Sequence, residues 1–152
     1  MRIPFISRKA FFTDDEIKQI VEAIRAAEKR TSGEIRVYVE SRCRFVNPVD
    51  RAAEVFWILK MEETEQRNGV LVYVATKDKQ LAVYGDKGIH EKVGVSYWNQ
   101  EVRKILGHLA KESQANAIKR IVTDIGEELR TYFPYDGDTD KNELPDDIVF
   151  GR

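Results

Sequence analysis

Apolar residues recur along the chain with two different periods, and the alternation between them predicts the fold. Thr13-Asp14-Asp15-Glu16 has the form of a capping box, with Thr13 as cap and Glu16 three residues on. Ile17, Ile20, Val21, Ile24 and Ala27 follow at helical spacing, and Gly33 stops the helix. In Glu34-Ile35-Arg36-Val37-Tyr38-Val39-Glu40 the period drops to two, as in a strand. Asn47-Pro48 opens a second helix with stripe Ala52, Val55, Phe56 and Leu59, and a polar loop over 62–68 ends at Gly69. Residues 70–75 are continuously apolar, which predicts a strand covered on both faces. A turn over 76–79 leads to a third strand over 81–84, so the pair is a hairpin. Past Gly85-Asp86-Lys87-Gly88, the pattern predicts a short helix over 89–93 and a helix capped by Ser96 with Val102, Ile105, Leu106 and Leu109. A last helix carries Ala115, Ile118, Ile121, Val122, Ile125 and Leu129 and ends near Phe133-Pro134. The first two strands, joined by a helix, are expected to be parallel. The reading is a three-layer α/β/α sandwich on a small mixed sheet, formed by residues 1–134, with an acidic, irregular tail over 135–152 that folds back on the domain.

Bulk properties narrow the function classes. At 152 residues the chain fits one domain with a proper core. With 25 basic and 26 acidic residues the net charge is −1, which supplies no electrostatic drive toward nucleic acid. Cys43 is the single cysteine and cannot form an internal disulfide, which suits a reducing compartment. Residues 1–6 do not read as a signal peptide, and no run approaches the ~20 apolar residues of a membrane span. The expectation is a soluble, cytoplasmic monomer with no membrane insertion, no nucleic-acid partner and a protein as partner.

The strand directions bring three residues to one sheet edge. Glu34 and Asn68 stand at the starts of the parallel strands, and Asp86 follows the end of the antiparallel third. Two carboxylates, an amide oxygen and backbone carbonyls beside Gly69, Gly85 and Gly88 make an oxygen-rich set suited to a hard cation such as Ca²⁺. The plainer reading is that Asn68-Gly69 and Gly85-Asp86 are turns, where these residue types are favoured anyway. In the tail, Asp136, Asp138, Asp140 and Asp147 fall at EF-hand positions one, three, five and twelve, but Lys141 stands where that loop needs glycine. A solvated acidic tail is the simpler reading, with Asn142-Glu143 folding back onto the sheet edge as an intermediate one. No phosphate-binding glycine loop and no paired metal-binding histidines occur. His90 is close enough to the Gly85–Gly88 loop in sequence to serve as an acid or base, while Trp57 and Trp98 read as packing residues.

Three stretches carry a family resemblance: Thr31-Ser32-Gly33-Glu34-Ile35-Arg36-Val37, Arg67-Asn68-Gly69-Val70-Leu71-Val72-Tyr73-Val74-Ala75 and Tyr84-Gly85-Asp86-Lys87-Gly88-Ile89. Together they resemble the TPM domain, with Asn142-Glu143-Leu144-Pro145-Asp146-Asp147-Ile148 resembling the end of a soluble bacterial subgroup. The resemblance implies a Rossmann-like fold and a divalent-metal site, for calcium, among the strand-edge loops, with Asp86 as the position carried over. Glu34 and Asn68 match family positions, and their role as ligands rests on the shared edge. The expectation is therefore a metal-binding accessory or interaction domain using Glu34, Asn68 and Asp86, closed by Asn142 and Glu143. Some plant members are described as acid phosphatases, so the alternative is a metal-dependent, phosphatase-like hydrolase with His90 as proton donor. A protein-binding domain without metal is the third reading, and the residues do not decide whether the chain is an enzyme.

Overall fold

In the computed structural model, which describes residues 11–109, 112–137 and 148–151, the chain forms a four-stranded mixed sheet covered by helices on both faces. Helix α1 (Asp14–Glu28) starts at the expected capping box, in which the Thr13 side chain accepts from the Glu16 amide and the Glu16 side chain accepts from the Thr13 amide. Strand β1 (Glu34–Glu40) follows, then α2 (Pro48–Ile58), whose cap Asn47 accepts from the Val49 amide. Strands β2 (Gly69–Ala75) and β3 (Gln80–Gly85) form the hairpin. Helix α3 (Lys87–Leu109), helix α4 (Gln114–Tyr132) and the short strand β4 (Ile148–Phe150) complete the order.

The sheet runs β3-β2-β1-β4. β1 pairs in parallel with β2, Glu34 opposite Gly69, and β2 pairs antiparallel with β3, Val70 opposite Gly85. Alternation then decides which core each side chain joins. Ile35, Val37 and Val39 face α1, α3 and α4, together with Val70, Val72, Leu81 and Val83. Leu71, Tyr73, Ala75 and Ala82 face α2 and pack on Val55, Phe56 and Met61. Every residue of β2 is buried, as its unbroken apolar run requires.

One feature departs from the sequence reading. Val37–Val39 of β1 pairs with Ile148–Phe150, so part of the segment expected to be irregular is an edge strand. Three residues are too few to carry a period of two, which is why the pattern hides it. The two helices expected after β3 are both present in the run Lys87–Leu109, separated by non-helical backbone at Gly94, where φ is 81° and ψ 166°. Glycine alone takes that backbone readily, and the break falls in the gap the sequence reading leaves between Val93 and Ser96. Asn142, Glu143 and all of the EF-hand-like stretch after Gly137 lie outside the described residues.

Candidate functional site

Glu34, Asn68 and Asp86 do meet at one edge of the sheet. The Glu34 amide donates to the Asn68 carbonyl at 3.4 Å, and the Asp86 amide donates to the Gly69 carbonyl at 2.9 Å. Gly69 is thus flanked by Glu34 on β1 and Asp86 beyond β3, and puts no side chain between them. The two flanking backbones are about two strand spacings, ~10 Å, apart.

Asn68 is only 1 % exposed. Its amide donates to Thr64 Oγ1 at 3.3 Å and its side-chain Nδ2 donates to Ser32 Oγ at 3.3 Å. Ser32 Oγ also accepts from Gln66 Nε2 at 3.2 Å. The remaining side-chain atom, Asn68 Oδ1, is buried and accepts no hydrogen bond from the described residues. A buried acceptor left in that state costs free energy, so it is either strained or awaits a donor or a cation.

Asp86 has a different setting. It is 2 % exposed, and Arg67 grips its carboxylate with two bonds, Nε to Oδ2 at 2.7 Å and Nη2 to Oδ1 at 2.9 Å. Asp86 also caps α3: Oδ1 accepts from the Lys87 amide at 2.7 Å and its carbonyl accepts from the His90 amide at 2.8 Å. Arg67 reaches it from a left-handed backbone, φ 52°. Gly88 makes the approach of the two loops possible, since a Cβ there would lie 2.1 Å from the Gln66 carbonyl oxygen and 2.6 Å from that of Arg67. The space is instead used by a bond from the Gly88 amide to the Arg67 carbonyl, 2.8 Å.

The fit to a divalent cation is therefore uneven. Glu34, buried to 4 % exposure, and the open Oδ1 of Asn68 supply hard oxygens. Asp86 is held by a guanidinium, and a cation would have to displace or share that charge. Among the described residues no cluster of three or more His, Cys, Asp or Glu is arranged to hold a metal. Any further ligands from Asn142 and Glu143 lie outside them.

Next to this edge lies a cavity of about 350 Å³ that also takes in Asp86, Arg67, Lys87 and His90. Trp98 Nε1 donates to His90 Nδ1 at 3.0 Å. The histidine proposed as an acid is thereby oriented, a contact invisible until the Gly94 break sets the second part of α3 over the first.

The usual ligand position in open α/β sheets, outside the carboxyl ends of the strands, is filled here by side chains. Glu40, at the end of β1, accepts from Arg51 Nη2 at 2.9 Å and Nε at 3.0 Å and from the Tyr73 hydroxyl. Tyr38 stacks on Tyr73 with ring centroids 6.2 Å apart. Cys43 is near this group, its amide donating to Asp78 Oδ2 at 2.8 Å. A second unexpected cluster lies between α3 and α4. Glu101, 7 % exposed, meets Asp124, which Lys104 contacts at 2.8 Å. Burial first, then the hydrogen bond and charge of Asp124, push the Glu101 carboxyl up to about 8. The direction favours the protonated form of Glu101 beside the Asp124 carboxylate. Burial alone would raise Asp124, but its bonds from Glu101 and Lys104 keep it below the ordinary value.

The profile of the TPM domain matches residues 6–128. The BA42 protein of the psychrophilic bacterium Bizionia argentinensis, solved by NMR, is similar at 42 % identity with a TM-score of 0.83, over 93 % of this chain and 96 % of that one. The N-terminal domain of the cg2496 protein from Corynebacterium glutamicum shares the fold at 13 % identity and a TM-score of 0.57, over 91 % of this chain and 80 % of that one. No curated protein matches the chain. No helix among the described residues is long and apolar enough to cross a membrane.

Proposed function

Because the chain belongs to the TPM domain family, we propose that it is an accessory or interaction domain that binds a divalent cation, of the calcium class, at the β1–β2–β3 edge. One observation carries this reading: Asn68 Oδ1, an acceptor buried at that edge with no donor among the described residues, in a residue whose carbonyl is bonded by the Glu34 amide. Glu34 and Asn68 supply the first oxygens. Asp86 joins them when Arg67 releases its carboxylate, and Asn142 and Glu143 complete the set. The ion stabilises the fold by mass action, about 2.7 kcal/mol at a hundredfold excess over Kd. Calcium suits the site better than magnesium, because a set built from separate strand edges and a tail does not impose a tight octahedron.

Calcium titration of the chelated protein tests this, read by melting temperature and amide shifts. The melting temperature is expected to rise, with the largest shifts at residues 32–34, 67–69 and 85–88. Asn68→Ala should abolish the response. No response at millimolar calcium, or an unaltered one in Asn68→Ala, overturns the reading.

A further inference from the structure

The cavity beside β3 adjoins the cation edge, shares Asp86 and Arg67 with it, and has a chemistry of its own. It runs along the outer edge of β3 and is lined by Val49 and Trp57 of α2, Val83 and Tyr84 of β3, and Val95 and Trp98 of α3. Its volume of about 350 Å³ falls in the range of roughly 300–1,000 Å³ that small-molecule sites occupy. Trp57 and Val95 are 49 % and 59 % exposed, so apolar surface stands open at the mouth. Trp98 forms a fixed inner wall. Gly85 lets its ring lie against the strand, where a Cβ would come within 2.4 Å of Trp98 Cζ2.

One end of this apolar slot is polar, and its polarity is one-sided. His90 Nδ1 accepts from Trp98 Nε1 at 3.0 Å, so the neutral ring carries its proton on Nε2 and offers a donor. Lys87 lines the same end, is exposed, and makes no ion pair among the described residues. Asp86 adds no net negative charge because Arg67 matches it with two bonds. The cavity thus offers an aromatic, apolar slot closed by one unmatched cation and an N–H donor. Aromatic walls alone would also suit a cationic ligand, but the unmatched Lys87 opposes one. A phosphoryl group needs more donors than this end presents.

We propose that the cavity between α2, β3 and α3 binds a small amphipathic carboxylate, its apolar or aromatic body between Trp57 and Trp98 and its carboxylate on Lys87 and His90. The same chemistry is offered by a free organic acid and by the carboxyl end of a peptide with an apolar last residue.

The test uses isotopically labelled full-length protein in the presence of a chelator, so that its outcome is independent of the cation reading. The probes are 4-phenylbutyrate, 4-phenylbutanol and 4-phenylbutylamine, which share one body and differ in the end group. The acid should shift the indole N–H signals of Trp57 and Trp98 and the amides of Lys87 and His90 saturably, and bind about tenfold tighter than the alcohol. Lys87→Gln should bring the acid down to the level of the alcohol while leaving the alcohol unchanged. Trp57→Ala, at a half-exposed position, should weaken both while an unchanged amide spectrum elsewhere shows the fold intact. Acetyl-Ala-Ala-Phe, compared with its amide, distinguishes the sources. If the free peptide binds tighter than phenylbutyrate and its amide does not, a chain end is the ligand. If phenylbutyrate binds tighter, a free acid is. Equal binding of acid and alcohol, tighter binding of the amine, or no saturable shift on the order of 10 mM overturns the proposal.

Discussion

The guanidinium of Arg67 and the carboxylate of Asp86, nineteen positions apart, form a two-bond pair at the mouth of the candidate site. This pair closes Asp86 against any cation. Arg67→Gln removes the competing charge and keeps a donor. On the proposed reading it should tighten calcium binding by about tenfold, the size of effect an adjacent opposite charge has on proton binding to a carboxylate. Isothermal titration of the two proteins decides the matter. Unchanged or weaker calcium binding in the variant would remove Asp86 from the ligand set.

Gly88 and Gly107 make opposite predictions for the same substitution. Gly88→Ala drives a Cβ into the carbonyls of Gln66 and Arg67, which are backbone atoms and cannot swing away. The loss should be about 1–3 kcal/mol or more, and the loop that carries Arg67 should shift. Gly107, within α3, meets nothing within 4 Å. Gly107→Ala should stabilise by about 0.5–1 kcal/mol through helix propensity. Urea unfolding curves measure both.

The Glu101–Asp124 pair gives stability a pH dependence. The Glu101 carboxyl sits at about 8 in the fold against an ordinary 4.5, so its stabilising contribution is complete below about 4.5 and is lost as pH rises toward about 8. Asp124, held below its ordinary value, acts in the other direction and loses its contribution only in stronger acid. Glu101→Gln keeps a donor for Asp124 and removes the titration. Its melting temperature should change less than that of the wild type between about pH 5 and pH 8, and should exceed it above that window. Parallel curves for the two proteins would show that the seam between α3 and α4 holds no proton.

Tyr73→Phe removes one of the three donors to the buried Glu40 and leaves the ring stacked on Tyr38. A hydrogen bond to a charged acceptor is worth about 1–3 kcal/mol. Denaturant unfolding should register a loss of that size, with calcium binding at the opposite sheet edge unchanged.

How much of this is legible in the sequence depends on whether the signal is periodic. The alternation of Ile35, Val37 and Val39 and the apolar run through 70–75 specify β1 and β2, and their directions bring Glu34, Asn68 and Asp86 to one edge. The short strand at Ile148–Phe150 carries no period to read. Side-chain pairings escape for another reason. Arg67 finds Asp86 through a left-handed loop residue and a glycine contact, neither of which follows from hydropathy. Glu101 and Asp124 carry no signal of their own, because nothing in their spacing reveals that the two helices turn them toward each other. Trp57 and Trp98 read as packing residues. Trp98 is buried, whereas Trp57 is half open at the cavity mouth.

The placement of β1 between β2 and β4 also orders the events of folding. Its pairing with β2 closes through α2, a short connection, while Val37 meets Ile148 across more than a hundred positions. Loop closure of that length is entropically costly and is compensated by only three residue pairs. β4 should therefore dock last, after the hairpin and helices have formed, and open first in the native state. In hydrogen exchange, the amides of β4 would lose protection well before those of β2, and the outer edge of the sheet would be the part of the molecule that breathes.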